Sequence, residues 1–172
     1  MFGFGQLIGI LKKNPKKIVF TEGEDPRILE ASSRLLASYF LHPILIGDEK
    51  RIADAAEESG FNIRGAEIID PEKFDKIDEM VELYCELRKK KGVTSDQARE
   101  VLKQANYFGT MLVKMGFADA LLGGATYSTA DTVRPALQLI KTKPGNNLVS
   151  SCFILVRPSA TGDNEVLAMG DC

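Results

Sequence analysis

The stretch ADALLGGATYSTADTVRPALQLI, residues 118–140, decides the fold. Ala120-Leu121-Leu122 is a short apolar run of the buried-strand type. Gly123-Gly124-Ala125-Thr126-Tyr127-Ser128-Thr129 is a small, hydroxyl-rich turn. From Ala130 onward, apolar residues at 133, 136, 137 and 140 repeat with helical spacing. Strand, glycine turn and helix in that order can trap an anion, because glycines let backbone N–H groups approach a ligand and a helix N-terminus carries unpaired donors. Arg134 adds a full charge with a planar donor fork suited to phosphate or carboxylate. The same shape also occurs in α/β proteins that bind nothing there. Ser128 and Asp131 are three apart, as in a capping box, which favours a cap over a catalytic role for Asp131. Pro135 allows two helix starts: one near Ser128 with a kink at Pro135, which we favour, and one at Pro135 itself.

Upstream, the pattern of that stretch repeats. Ile18-Val19-Phe20 reads as a strand, followed by Thr21-Glu22-Gly23-Glu24-Asp25-Pro26. Asp25 is a good N-cap and Pro26 a good first helical residue. Ile28, Leu29, Ala31, Leu35, Leu36, Tyr39 and Phe40 then fall mostly on one helical face. Glu22, Glu24 and Asp25 either line a cleft or offset the helix dipole facing solvent. Pro43–Gly47 is a second strand, and 48–59 a polar helix stopped at Gly60. Ala66–Ile69 is a third strand, with Asp70-Pro71 offering another helix start. Strands alternating with helices imply a mainly parallel sheet with helices on both faces, and apolar runs suit strands covered on both sides. Two long helices are predicted over 72–91, closed by Gly92, and from Thr94 or Ser95 to Met115, with Gly116 as C-cap. Arg88-Lys89-Lys90-Lys91 falls at a helix C-terminus, where cations offset the dipole, yet such an end can also lie near the ligand-binding edge of the sheet.

After Ile140 the chain becomes polar and turn-rich, so residues 1–143 read as one α/β domain and 144–172 as the truncated beginning of a second. Leu148–Val156 and Val166–Met169 are predicted strands joined by a loop over 157–164. A lone hairpin is marginal, so this tail calls for a partner.

Composition narrows the function. The chain has 172 residues, 44% hydrophobic and 27% charged, with a net charge of −2. This is enough for a core in one domain and argues against a nucleic-acid or membrane-surface binder. No apolar run has the length of a spanning helix and the N-terminus lacks signal-peptide character, so a cytoplasmic location is expected. Cys85, Cys152 and Cys172 have no metal or disulfide spacing, and Cys85 falls in an apolar helical stripe as a buried thiol. His42 is the sole histidine, in an expected helix-to-strand turn. A Ser–His–Asp hydrolase would have to use it as base, which gives that reading little support.

Three segments carry a resemblance: TEGEDPR at 21–27, ELRKKKGVT at 86–94 and GGATYSTADTVRPALQ at 123–138. Together they resemble the N-terminal half of phosphate acetyltransferase, with the related phosphate butyryltransferases a weaker match. The resemblance implies reversible acetyl transfer between coenzyme A and phosphate, as in acetate metabolism. Coenzyme A is then a substrate, with no metal or redox cofactor, and the expected assembly is a homodimer without nucleic-acid or membrane partners. It also implies a fold like that of the isocitrate and isopropylmalate dehydrogenases, with the active site between two domains. Arg88 and Arg134 match the family's functional arginines of this half, which hold anionic groups such as the phosphates of coenzyme A. Gly124, Ser128, Thr129 and Thr132 are expected to bind substrate beside Arg134. The family's catalytic serine, its neighbouring arginine and an aspartate base have no counterpart among these residues. The alternatives are a butyryl-type acyltransferase, a dehydrogenase-type domain, disfavoured because no GxGxxG follows a strand, and a non-catalytic α/β module.

Overall fold

The computed structural model describes residues 4–158 and 164–170. The chain divides into two compact units, Pro15–Lys141 and a second made of Met1–Asn14 with Thr142–Cys172.

The larger unit is a four-stranded sheet, β1 (Lys16–Phe20), β2 (Leu41–Ile46), β3 (Glu67–Ile69) and β4 (Ala120–Leu122), in the order β3-β2-β1-β4. Every pairing in it is parallel, as the alternation of strands and helices predicts. Because side chains alternate along a strand, the sheet feeds two cores. Val19 and Ile44 share a register position, and with Ile46 they pack beside Met80, Phe108 and Met111. Phe20 and Leu45 share the next position and pack beside Leu29 and Ile52. Helices α2 (Pro26–Ser38) and α3 (Glu49–Ser59) therefore cover one face. Helices α4 (Ile77–Leu87), α5 (Ser95–Leu102) and α6 (Ala105–Lys114) cover the other.

Local capping chemistry sets most boundaries. Asp25 accepts from the Arg27 amide at 2.9 Å, and Asp48 from the Arg51 amide at 3.0 Å, each just beyond a strand. Thr94 and Gln97 form a reciprocal capping box at the start of α5. Gly60 closes α3 in the left-handed conformation.

Several expectations change. Asp70-Pro71 starts no helix: the Asp70 carboxylate accepts from the Glu72 amide and its carbonyl from the Lys73 amide, so the segment turns and α4 begins at Ile77. The helix expected to run to Lys91 ends at Leu87, followed by a 3-10 turn Lys89–Lys91. The helix expected over 94–115 is two, because Gln104 is extended (φ −78°, ψ 121°) and starts α6 afresh. Tyr39 leaves the apolar face, taking the left-handed cap of α2 with 81% of its surface exposed. His42 lies within β2 opposite Lys17, not in a turn, and is exposed. Cys85 is half-buried, not buried.

In the second unit, α1 (Phe4–Lys13) is an unexpected helix, although Phe4, Leu7, Ile8 and Leu11 have helical spacing. Strands β5 (Cys152–Pro158) and β6 (Asn164–Gly170) form an antiparallel hairpin, with Phe153, Ile154 and Leu155 exposed. Leu148 and Val149 stay outside the strand, and most of the expected loop, 159–163, lies outside the described residues, as does Cys172.

Helix α6 runs unusually close to the sheet at Gly109. A Cβ there would stand 2.9 Å from Val19 Cγ1 and 3.0 Å from Leu121 Cδ1. Alanine is the better helix former by about 1 kcal/mol, but a stiff β-branched side chain must then give way. Gly109→Ala is expected to destabilise the chain by about 1–3 kcal/mol in urea unfolding, and an unchanged or higher midpoint would contradict this close packing.

Candidate functional site

In an open parallel sheet, a crevice forms where successive connections leave in opposite directions, outside the carboxyl ends of the strands. Here that point lies between β1 and β4. Thr21 and Glu22 follow β1 and the turn 123–128 follows β4. The strand order thus brings Glu22 against Gly124, 102 residues further along the chain.

The turn's amides point inward, as an anion trap requires, but a carboxylate of the same chain occupies them. Glu22 Oε1 accepts from the Thr126 amide at 2.5 Å, the Tyr127 amide at 3.1 Å and the Thr126 hydroxyl at 3.0 Å. Its Oε2 accepts from the Gly124 amide at 3.1 Å and the Thr21 hydroxyl at 3.3 Å. Gly124 takes φ +109°, a conformation a residue with a side chain rarely adopts. Burial raises the Glu22 pKa, but the amides of Thr126 and Tyr127 and the Thr126 hydroxyl outweigh it, and the group sits below its ordinary value. Burial, followed by the charges of Glu22 and Asp131, raises the Tyr127 hydroxyl. Arg27 completes the turn, donating to the Ala125 carbonyl at 2.7 Å while held by both oxygens of Asp25. Of the two roles open to the acidic trio, lining the crevice holds for all three, and Asp25 also caps α2. Glu24 pairs with Arg51 at 2.7 Å.

Helix α7 (Thr129–Pro135) starts at Ser128, the favoured of the two starts. The Ser128 hydroxyl accepts from the Asp131 amide at 3.2 Å and donates to Asp131 Oδ2 at 2.6 Å. Asp131 Oδ1 accepts from Arg134 at 3.3 Å, so one carboxylate ties the cap to the guanidinium. Thr132 donates to the Ser128 carbonyl at 3.1 Å, and Thr129 is exposed. Asn106 of α6, buried, donates to the Asp131 carbonyl at 2.8 Å and anchors the helix. At Pro135 the helix widens into a π-helical turn, Ala136–Ile140, closed by the Lys141 amide on the Ala136 carbonyl. Proline cannot supply an amide to the ladder, which accounts for the break.

Thus Gly124, Ser128, Thr132 and Arg134 share one hydrogen-bonded framework. Arg88 lies elsewhere. It lines an open cleft of 720 Å³ with Lys89, Lys90, Lys91, Lys141 and Glu86, whose lining does not include Arg134. The Arg88 Nε is buried with no hydrogen-bond partner among the described residues. Lys141 holds φ 65°, ψ 178°, a region nearly reserved for glycine. Acidic groups line the crevice beside β1 and β2 instead: Glu22, Glu24 and Asp25, with Arg51. Among the described residues no group of three or more His, Cys, Asp or Glu could hold a metal ion, and no helix is long and apolar enough to cross a membrane. Glu22 and Lys141 are site residues that motif reasoning did not assign. The sequence signal for Glu22 is slight: an acidic residue just past one strand and a glycine-hydroxyl turn just past another.

The fold and its edge define an α/β protein with a parallel sheet and a glycine-rich, arginine-bearing wall where β1 and β4 end. The chain belongs to the phosphate acetyl/butaryl transferase family, whose model matches residues 4–172. It is 46% identical over 162 residues to a phosphate acetyltransferase of Thermoanaerobacterium thermosaccharolyticum, covering 94% of this chain and 49% of that protein. It is 50% identical over 156 residues to one of Bacillus subtilis, covering 91% and 46%. The solved EutD phosphotransacetylase of Staphylococcus aureus superposes with a TM-score of 0.82 at 39% identity, covering 96% of this chain and 50% of that one. The chain therefore spans about half the length of the curated relatives it matches.

The Glu22 contacts make stability depend on pH. A carboxylate held below its ordinary pKa stabilises the fold fully above the unfolded-state value and loses that contribution as the pH falls toward the folded one. Glu22→Gln is expected to flatten part of the acid limb of the stability curve below the ordinary glutamate range. Curves of equal slope for the two proteins would contradict it.

Proposed function

We propose that this chain forms one wall of a phosphate acetyltransferase cleft, in which acetyl-CoA and phosphate are interconverted with acetyl phosphate and free coenzyme A. The observation that carries this reading is the match, over more than nine-tenths of the chain, to two relatives named phosphate acetyltransferase. The basic cleft at Arg88 and Lys141 supports it, since a polyanion the size of coenzyme A requires several cations. The framework around Ser128 supports a role for Arg134, presented on α7 with one carboxylate, Asp131, opposed to it among the described residues. In the proposed reaction, coenzyme A thiolate attacks the carbonyl of acetyl phosphate, a C–S bond forms, and the C–O bond to phosphate breaks. The thiol gives its proton to a base, and the family's base lies in residues this chain does not contain. Arg88 and Arg134 hold and neutralise the phosphates. Residues 144–172 begin the second domain, and the working assembly is a cytoplasmic homodimer whose ligands are small molecules.

Acetyl is preferred over butyryl transfer because the relatives from Thermoanaerobacterium thermosaccharolyticum and Bacillus subtilis bear the acetyl name. Arg134→Ala and Arg88→Ala are each expected to weaken coenzyme A or acetyl phosphate binding about tenfold, measured by calorimetry. Unchanged dissociation constants for both variants would sink the assignment. Release of coenzyme A thiol from acetyl-CoA by phosphate is expected to be slight for this chain alone, and robust turnover would show that the catalytic groups lie within it.

A further inference from the structure

We propose that Glu22 is a built-in ligand of the turn after β4, a positioning residue whose carboxylate keeps the amides of Gly124, Thr126 and Tyr127 from free anions and thereby holds Ser128 and Arg134 in place. The proposal rests on the acyltransferase reading for its functional consequence and on geometry for the rest.

Five donors converge on two oxygens: amides of Gly124, Thr126 and Tyr127 and hydroxyls of Thr21 and Thr126. A carboxylate offers about four lone-pair directions, so this one is saturated. The turn's carbonyl at Ala125 is taken as well, by Arg27. Three backbone amides that a phosphate would use are therefore committed within the chain. A phosphate dianion approaching them meets a carboxylate, and like charges at such range repel. One exposed cation on the same wall is the guanidinium of Arg134, opposed by Asp131 alone among the described residues. The link from Glu22 to that guanidinium is short. Glu22 binds the Tyr127 amide, Tyr127 precedes the Ser128 cap, Ser128 binds Asp131, and Asp131 binds Arg134. Loss of the carboxylate leaves these amides to water, which satisfies them but cannot tether the turn to β1, so the turn is released from its neighbour. Ser128 and Arg134 then move with it.

The test is amide NMR on this chain as unmodified protein, Glu22→Ala and Glu22→Gln, titrated with inorganic phosphate, formate and coenzyme A. In the unmodified protein the amide signals of Gly124, Thr126 and Tyr127 are expected to titrate together at acid pH and to ignore phosphate and formate. In Glu22→Ala they are expected to lose their downfield shifts and to regain them with formate, whose carboxylate fits the vacated nest. Coenzyme A affinity should fall about tenfold in this variant and return with formate, a rescue that a purely structural defect would not show. Glu22→Gln keeps one accepting oxygen but turns an NH2 toward the Gly124 amide, so it should weaken binding even if the alanine variant fails to fold. Phosphate-induced shifts of these amides in the unmodified protein would overturn the proposal, since the nest would be an open site. So would wild-type coenzyme A affinity in both variants. Absence of coenzyme A binding by the unmodified protein would overturn the acyltransferase reading alone, because the phosphate and formate arms still decide the nest.

Discussion

An irregular, glycine-rich turn with inward amides has to be accommodated where β1 and β4 end side by side. Backbone donors that turn inward must be paired, and Glu22 pairs three of them at once. Its carboxylate needs those donors equally, since a half-buried charge without them would be costly. The bonds tie the two strand ends together across 102 residues of chain. From that mutual satisfaction the rest of the wall follows: the course of the turn, the Ser128 cap, the start of α7 and the placing of Arg134.

Charge is sorted over this unit in a way that the net value of −2 conceals. Carboxylates gather at the ends of β1 and β2, each engaged with amides or with Arg27 or Arg51. Cations gather after α4 and at Lys141, where Glu86 is the one acid in the lining of the cleft. The two clusters differ in sign, so the field around this unit is uneven although its net charge is small.

Local chemistry was legible from the chain. Asp25, Thr94 and Ser128 are caps because an oxygen can reach an amide two or three residues on, and nothing distant is needed to see it. The parallel sheet was legible too, because apolar strands alternated with amphipathic helices. What escaped depends on partners far along the chain. The helical period runs through Gln104 without interruption, yet Gln104 is extended and divides the stretch into α5 and α6, which feed one core. Tyr39 has the spacing of a core residue but occupies a left-handed cap. The turn 123–128 was legible as a cradle for negative charge, and the charge it holds is the chain's own. Recognising Glu22 as the occupant requires knowing that β1 and β4 are neighbours, which no local pattern states.

Helix α6 touches the sheet at Gly109 with no side chain between, and its Asn106 grips α7 through the Asp131 carbonyl. Packed interiors have little compressibility, and here the helix contributes no side chain of its own to take up slack. Sheet, α6 and α7 must therefore translate as one block, the way a keystone locks the stones it touches. A site built on such a block loses little ordering entropy when a ligand arrives. Any closure around that ligand must come from segments outside it.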